Sequence, residues 1–509
     1  MDIDQIIDTQ NRSAAAIIAD LKSKTIYVPS WASLLPEYDA RQHPVMNKNL
    51  YRDKVMKNGS VEKVTRITLP LQRLAVKRMS ELLFAIPVKR IYHPQTDEEQ
   101  TAARIIESIY KRNRINSVNI MRARALYAAC ETVTLWYTQE QDVYYAGEFS
   151  PIKIRCKVFS PMTGDILYPL FDEYDDLKAL SIEYSRTDGQ TTTRYFDVYT
   201  NNRHLRFRGD ANSKNMDLEV DEVITIGKIT GVYMHRPEPI WEDQSENVYE
   251  AEWTLSRNGN YIRKNARPNW VVFSDKSVQH GKEASGDNEG RNVLQYPSDA
   301  KAEYVTWQQA TDSIKFHIEE IKRNFFMSLQ LPNMSMDEMK STPMSGEARK
   351  MLFIDCQLKA SDEAGIWYEA LDRETNIIRS LVGAIFPDLA DATKTLSIEN
   401  VITPYNIRDE QERIDVISKA AGNKQILSVR TAVEKLGYNE NIDEEIERIE
   451  DENTGDIMAQ SYESASHNIT QLLHNQKQSF RESEPPPPIG TQHPRWTEGG
   501  SLFYHQHTH

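Results

Sequence analysis

The organisation of this sequence follows from one helical stretch, Thr311-Asp-Ser-Ile-Lys-Phe-His-Ile-Glu-Glu-Ile-Lys-Arg-Asn-Phe-Phe-Met-Ser-Leu-Gln-Leu331. Its apolar residues recur at intervals of four, three and four, as Ile314, Ile318, Ile321 and Phe325. This spacing predicts a helix about 31 Å long at 1.5 Å per residue, which Pro332 ends. The apolar seam is narrow, so it favours a helix that packs side by side with others over one buried on all faces.

A second helix with a similar seam lies upstream. Its apolar residues follow at intervals of three, four and seven, as Val248, Ala251, Leu255 and Ile262. Asp243 and Glu246 fit an acidic capping box at its start, and Pro268 stops it. Between the two helices, residues 270–307 contain short strand-like runs and a polar loop with three glycines. The pattern therefore predicts two helices that flank a small β insertion.

The sequence after Pro332 predicts a loop, a long helix and an acidic helical region. Residues 333–344 are polar and rich in Met, which is typical either of an adaptable binding surface or of ordinary packing in a loop. Helical spacing then runs from Ser345 to Phe386, with a kink expected near Gly365. A strand, Thr395 to Ile402, precedes acidic helices over 409–453, and residues 454–509 have the composition of a tail.

The first half of the sequence predicts a mixture of helices and strands. Residues 1–40 are interpreted as an N-terminal arm. Helical spacing covers Leu71 to Phe84 and, as a single helix, residues 100–126, with a strand from Val88 to Tyr92 between them. Further strands are expected at Thr132–Tyr137, Ile152–Val158, Ala179–Tyr184, Thr193–Tyr199 and Val223–Ile226. The fold class predicted from these elements is α+β with an antiparallel sheet.

Composition limits the functions that this chain can perform. The 509 residues contain 61 Lys and Arg against 75 Asp and Glu, a net charge of −14, which disfavours a general nucleic-acid binder with a basic surface. Residues 41–90 are locally basic. Such a region is typical either of a solvated helix face or of a surface that binds an acidic partner. Three scattered cysteines exclude a disulfide scaffold and predict a reducing compartment. Neither a signal peptide nor a membrane-spanning helix is expected.

Motifs for enzyme chemistry are weak in this sequence. No phosphate-binding G-x-x-x-x-G-K-[ST] motif occurs, which disfavours an ATPase. Asp172, Asp175 and Asp176 are consistent with a Mg²⁺ site of a nuclease, or with a solvated turn between two strands, which is the more common role of such a run. His505, His507 and His509 alternate at the C-terminus, where a mobile end would give a metal no preorganised geometry.

Several stretches together resemble the portal proteins of tailed bacteriophages, in particular those of phages with long non-contractile tails. The resemblance extends from about residue 60 to 453, and no catalytic signature is part of it. It is carried by Arg73–Val88, Tyr127–Tyr137, Phe159–Tyr168, Ile398–Ile402 with Asn406–Glu410, Ile426–Val433 and Ile442–Glu450. One departure is the loop at 333–344, which is rich in Met and Ser where the family often has glycine.

The resemblance implies an α+β portal fold, in which each segment takes the name of a portal region. The expected regions are a wing (1–240), a first stem helix (241–267), a small β clip (268–307), a second stem helix (308–332), a tunnel loop (333–344), a long kinked wing helix with a returning strand (345–408), an α-helical crown (409–453) and a C-terminal tail (454–509). The residues expected to pack in the stem are Val248, Leu255, Ile262, Ile314, Ile318, Ile321 and Phe325. The residues expected to face DNA in the tunnel are Asn333, Met334, Met336, Met339, Lys340 and Ser341.

The resemblance also implies a function without an enzymatic step, a cofactor or a metal. Family members form rings, usually of twelve subunits, at one vertex of the capsid, and double-stranded DNA passes through the ring without sequence specificity. The expected partners are the terminase large subunit, the major capsid and scaffolding proteins, and head-completion or adaptor proteins, with assembly in the host cytoplasm and no membrane. Two alternatives stay open at this point: a metal-dependent nuclease, and another adaptor or scaffold ring of the virion.

Overall fold

The computed structural model describes residues 3–22, 26–210, 215–265, 269–273, 301–305, 311–331, 354–405, 410–421, 427–437 and 442–452. The chain divides into two compact units, Met1–Ile407 and Arg408–His509. The first unit mixes helices and strands, and the described part of the second unit is helical. The α+β class predicted from the sequence is therefore confirmed.

Ten α-helices of the first unit and three of the second are described. They are α1 (Ile3–Ile6), α2 (Ala14–Leu21), α3 (Trp31–Tyr38), α4 (Leu71–Phe84), α5 (Asp97–Arg112), α6 (Ile115–Ala129), α7 (Ser245–Asn265), α8 (Thr311–Ser328), α9 (Ile354–Ile385), α10 (Ala390–Thr395), α11 (Glu410–Ala421), α12 (Val429–Leu436) and α13 (442–452). The longest of these is α9, and its helical assignment is continuous through Gly365. Within the described part of the chain, no helix is both long enough and apolar enough to span a bilayer.

The strands form antiparallel sheets. They are β1 (Lys54–Val55), β2 (Val61–Glu62), β3 (Lys89–His93), β4 (Glu131–Tyr145), β5 (Glu148–Phe159), β6 (Ile166–Phe171), β7 (Leu177–Asp188), β8 (Thr191–Tyr199), β9 (Arg203–Asp210), β10 (Asp217–Val223), β11 (Gly231–His235), β12 (Asn269–Phe273), β13 (Lys301–Val305) and β14 (Ser397–Val401). The largest sheet has the order β10-β9-β8-β7-β6, and a second has the order β11-β4-β5. Three two-stranded sheets pair β1 with β2, β12 with β13, and β14 with β3.

The main apolar core lies among α4, α5, α6, α9 and the sheet β11-β4-β5, and we call these elements the body. Trp136 on β4 and Trp367 on α9 are fully buried there. The Trp367 indole N–H donates to the Tyr127 hydroxyl at 3.0 Å, and its ring lies edge-on to Phe84 with centroids 4.7 Å apart. Large rings from different elements thus fix how α9 crosses the body.

A second apolar core explains the N-terminal segment. Ile6, Ile17 and Leu21 of α1 and α2 are buried against Phe196 and Phe207 of the five-stranded sheet. The residues predicted as an arm therefore include helices that cover one face of this sheet. This packing removes from water a sheet face that would otherwise expose several aromatic and branched side chains.

The helix predicted at Leu71–Phe84 is confirmed, whereas the prediction of one helix over 100–126 is wrong. Two helices, α5 and α6, meet at Arg114, whose φ of 50° is left-handed. The Asn113 side-chain amide donates to the Ile109 carbonyl at 2.9 Å and to the Ile154 carbonyl at 3.1 Å. Asn113 thus caps the end of α5, and a side-chain hydrogen bond of this kind stops the helix.

The strand predicted at Val223–Ile226 is also misplaced. The structure has strand β10 at Asp217–Val223, and residues 224–226 lie outside any strand. Strand β10 is an edge strand, held by ion pairs to β9 that include Arg203 with Asp221 at 2.5 Å and Arg208 with Glu219 at 3.1 Å. Its alternating acidic residues therefore pair across the sheet, a signal that a search for β-branched runs does not find.

The predicted capping box at the start of α7 is wrong as well. Asp243 has a left-handed φ of 61°, and the helix begins at Ser245. An N-cap residue is extended, so Asp243 cannot fill that position. The Gln244 backbone N–H donates instead to the Trp241 carbonyl at 3.0 Å, in a turn that leads into the helix.

Candidate functional site

Helices α7 and α8 form a pair that leaves the body together. Val248 near the start of α7 and Phe325 near the end of α8 are fully buried in the main core. The opposite ends of the two helices adjoin strands β12 and β13, which pair antiparallel. The helices are therefore antiparallel neighbours, with one end in the body and the other next to the two-stranded sheet of β12 and β13.

The predicted stem residues differ in burial along this helix pair. Val248, Ala251, Ile318 and Phe325 are buried, and Leu255, Ile314 and Ile321 are half-buried. Ile262, near the end of α7, is 54% exposed, and Phe316 on α8 is 68% exposed. Within the single chain, the helix pair is thus covered at the body, whereas Ile262 and Phe316, farther from it, are exposed to solvent.

A polar stripe on α7 holds an extended segment, residues 63–69, which we call the strap. Glu252 Oε1 accepts from the Leu69 N–H at 2.6 Å, and Ser256 Oγ accepts from the Ile67 N–H at 2.9 Å. Asn260 Oδ1 accepts from the Thr65 N–H at 2.7 Å. Every fourth residue of the helix therefore meets every second residue of the strap.

This pairing follows from the dimensions of the two elements. Four helical residues advance about 6.0 Å and two extended residues about 6.6 Å, so the two repeats stay in step over three contacts. A Cβ on Gly259 would lie 2.9 Å from the Thr65 Cγ2 atom, so the glycine permits the close approach. In the sequence this stripe appears as the i, i+4, i+8 spacing of the polar residues Glu252, Ser256 and Asn260, which apolar periodicity does not reveal.

The strap also rests on a buried polar contact. Glu252 Oε1 lies 2.7 Å from His43 Nδ1, and both side chains are fully buried. His43 Nε2 lies 2.8 Å from the Glu37 carbonyl, which can only accept, so Nε2 carries a proton. Glu252 therefore ties the strap, the N-terminal region and α7 to one another.

The end of α8 and the start of α9 lie against α4. The Arg78 guanidinium on α4 lies 4.3 Å from the Phe326 ring centroid, and burial lowers the pKa of Arg78. Cys356 on α9 is 3% exposed, and burial raises the pKa of its thiol to about 11. Burial likewise raises the pKa values of Cys130 and Cys156 to about 12. These thiols stay protonated at neutral pH, so they are not poised as nucleophiles.

The acidic run proposed as a nuclease site forms a turn between β6 and β7. The Asp172 carboxylate accepts from the Tyr174 and Asp176 N–H groups, each at 2.9 Å, and pairs with Lys178 at 2.8 Å. Hydrogen bonding to Lys178 is the largest cause that lowers the pKa of Asp172 to about 2. Its oxygens are thus engaged within the turn. Among the described residues, no group of three or more His, Cys, Asp or Glu side chains is arranged to hold a metal.

The predicted tunnel-loop residues Asn333, Met334, Met336, Met339, Lys340 and Ser341 lie outside the described residues, as do His505, His507, His509 and the segment 454–509. In the second unit, Ser428 caps α12, because its Oγ accepts from the Thr431 N–H at 3.2 Å. Gly437 ends the same helix with a φ of 67°. The stretch Ile426–Val433, which carries part of the resemblance, thus contains a capped helix start at Ser428.

Comparisons with known proteins give one family and several solved structures. The model of a family described as phage portal protein, SPP1 Gp6-like, matches residues 28–458. No protein with a curated description matches the sequence. One similar solved structure is the neck of a native GTA particle computed with C12 symmetry, at 10% identity and a TM-score of 0.40, covering 83% of this chain and 98% of that chain.

Two further solved structures have comparable scores. The neck of an empty GTA particle computed with C6 symmetry has 9% identity and a TM-score of 0.39, and the match covers 72% of this chain and 90% of that chain. The virion of a native gene transfer agent (GTA) particle has 10% identity and a TM-score of 0.36, and the match covers 84% of this chain and 99% of that chain.

Proposed function

This chain belongs to the SPP1 Gp6-like family of phage portal proteins, which are structural proteins of the virion and not enzymes, and we propose that it forms a closed ring at one capsid vertex through which double-stranded DNA enters and leaves. In this proposal α7 and α8 are the stem and residues 268–307 the clip. Residues 333–344 are the tunnel loop, α9 crosses the wing, and 409–453 is the crown.

The observation that carries the ring is the uncovered half of the helix pair. Ile262 and Phe316 are large apolar side chains that a single chain leaves mostly in water. A neighbouring subunit that contributed its own helix pair would cover them and supply the favourable burial that the monomer lacks. Contacts between unlike surfaces close into a ring when the rotation between neighbours permits it.

Light scattering and negative-stain imaging of the purified full chain test the ring. Twelve subunits of 58.8 kDa would give a particle of about 700 kDa with a central channel. We expect this mass to persist at moderate salt, because the contacts proposed are apolar. A protein that remains a 58.8 kDa monomer at every concentration and salt would overturn the proposal.

Passage of DNA fits the charge of the chain. A channel lined with many Lys and Arg would gain affinity from every released counterion and would hold the DNA in place. The net charge of −14 is suited to weak contact without sequence specificity. The loop 333–344 contains Asp337, Glu338 and Lys340, so it is nearly neutral, and we assign its Met and Ser side chains to sliding contacts with the duplex.

Replacing Met334, Met336 and Met339 with Glu tests this assignment. Carboxylates from every subunit would then repel the phosphates, so we expect rings of normal mass but at least a tenfold loss of packaged DNA in an assembly assay. Gln at the same three positions is the matched control for polarity without charge. Normal packaging by an assembled Glu variant would remove the loop from the DNA path.

The partners we propose follow from the lack of an energy source in the chain. Without a nucleotide-binding motif in the sequence, the work of packaging falls to a terminase large subunit docked at 268–307. Head-completion or adaptor proteins then replace it at the same place. The major capsid and scaffolding proteins would surround the ring during assembly in the host cytoplasm.

A further inference from the structure

A recess between β3, α5 and the start of α6 contains cationic groups that the proposed ring and channel do not use. The cavity has a volume of about 420 Å³. Arg90 and Tyr92 of β3, Lys111 of α5 and Arg114 before α6 contribute to its lining. The acidic residue of the lining is Glu107, whose Oε1 already lies 3.2 Å from Lys111 Nζ. The recess therefore has an excess of positive charge.

Arg90 is the most deeply placed of these cations. Its side chain is 7% exposed, and its guanidinium lies 3.6 Å from the centroid of the Tyr110 ring. Its Nη2 atom is 3.6 Å from Glu374 Oε1, which is beyond hydrogen-bond distance. Among the described residues, neither Nε nor Nη2 has an acceptor. Buried N–H groups of a guanidinium are costly to leave unpaired, so an acceptor is expected in the cavity.

Glu374 carries one negative charge for two arginines, because its Oε1 faces Arg90 at 3.6 Å while its Oε2 is bound to Arg122. Arg122 Nη1 lies 2.6 Å from Glu374 Oε2, and both of these side chains are fully buried. Two guanidinium groups therefore share one carboxylate in a region with little water. A second negative group beside Arg90 would balance the charge.

Two further hydrogen-bond donors adjoin the same cavity. The Tyr92 hydroxyl is buried and has no partner among the described residues. Burial raises the pKa of Tyr92, so its phenol keeps the proton that it can donate. Helix α6 starts at the cavity, where Ile115 and Asn116 join the lining, and no side chain caps it. The first N–H groups of a helix lack intrahelical acceptors and favour a bound anion.

We propose that this recess binds a phosphoryl oxyanion through Arg90, Tyr92 and the start of α6, with Arg114 at its mouth. A tetrahedral oxyanion presents acceptors in several directions, which suits donors that arrive from a strand and from a helix end. The planar guanidinium fork of Arg90 can give two hydrogen bonds to such a group. The phosphoryl group can come from free phosphate or from a DNA backbone, and both sources share the chemistry that the recess recognises.

Calorimetric titration of the full chain with sodium phosphate tests the site, with sodium chloride and sodium acetate at equal ionic strength as control salts. We expect saturable binding of phosphate that neither control salt reproduces. Arg114→Gln is expected to weaken it about tenfold through the loss of a charge-assisted contact. Arg104→Gln, a change of an exposed arginine on α5 that does not line the cavity, is the matched control variant. Equal weakening by the two variants, or phosphate binding no stronger than that of chloride and acetate, overturns the site.

Tyr92→Phe separates ligand binding from a structural role. The variant removes a hydroxyl that has no partner among the described residues, so without phosphate its melting temperature should equal or exceed that of the wild type. Added phosphate should raise the melting temperature of the wild type more than that of the variant, and the phosphate affinity of the variant should be about threefold lower. A variant that melts lower without phosphate yet binds it as tightly as the wild type would contradict the proposal.

Competition identifies the source of the phosphoryl group. A blunt DNA duplex of about twenty base pairs that displaces phosphate equally from the wild type and from Arg104→Gln points to the DNA backbone. Retention of phosphate in excess duplex points to the free ion. Both outcomes support the oxyanion site, and neither depends on the ring, whose mass is measured separately.

Discussion

The body and the helix pair α7–α8 bury their large apolar side chains to different extents. In the body, Trp136 and Trp367 are fully covered by residues of the same chain. Along the helix pair, Val248 is covered, whereas Ile262 is 54% exposed and Phe316 is 68% exposed. The body thus has a core of its own, while the helix pair leaves large apolar side chains exposed away from the body, as the proposed ring requires.

The strap links these two regions by polar contacts. Its backbone is bonded to α7 through Glu252, Ser256 and Asn260, and these contacts need no second subunit. Helix α7 is therefore fixed to the strap before any neighbour arrives. A ring can then form from subunits whose interface helices are already oriented, which lowers the ordering cost of assembly.

The largest effect we expect is the loss of Trp136. Trp136→Ala leaves a large cavity in the body and should lower the free energy of unfolding by about 3–5 kcal/mol in denaturant titrations. Trp136→Phe is the matched control, because the indole N–H has no partner among the described residues and the ring contact with Tyr110 is kept. A loss below about 1.5 kcal/mol is expected for Phe. Similar losses of unfolding free energy in both variants would show that filling the space of the Trp136 ring does not determine the stability of the body.

The next effect concerns the joint between the two regions. Glu252→Ala leaves the Leu69 N–H without its acceptor and His43 Nδ1 without its hydrogen-bond partner in a buried place, and we expect a loss of about 3 kcal/mol. Native-state proteolysis should then cut within residues 51–69 first. Glu250→Ala, on the same helix but exposed and 3.8 Å from His317, should cost less than about 0.5 kcal/mol. Equal protease sensitivity in the two variants would mean that the strap is held by other contacts.

The same contrast explains what the sequence could predict. Periodicity located α4, α7 and α8, because apolar spacing reports which face a helix buries, and runs of β-branched and aromatic residues located β4, β5, β7 and β8. The resemblance to phage portal proteins is confirmed by the family match over residues 28–458. The order of the elements, more than any motif, carried that identification.

Features that depend on partners distant in sequence were not predictable. The strap joins residues about 190 positions apart, and Arg90 meets Glu374 only after β3 and α9 are packed. Backbone details were also missed where a single side chain overrides the pattern, as Asn113 does between α5 and α6. Periodicity gives the buried face of an element, whereas buried polar partners depend on the tertiary arrangement.

The smallest effect on folding should come from the open half of the helix pair. Ile262→Ser with Phe316→Ser changes side chains that the single chain leaves exposed, so the free energy of unfolding of the dissociated subunit should change by less than about 0.5 kcal/mol. Assembly should nevertheless fail, because the two changes remove the apolar area that a neighbouring subunit would cover. Light scattering is expected to give subunits or small oligomers for this variant, and rings for Glu319→Ser, a polar exposed control on α8. Folding and assembly would then be separable along one pair of helices.

Full-mass rings from the double variant would place the subunit contacts elsewhere, and a large loss of stability would show that Ile262 and Phe316 belong to the core of the single chain.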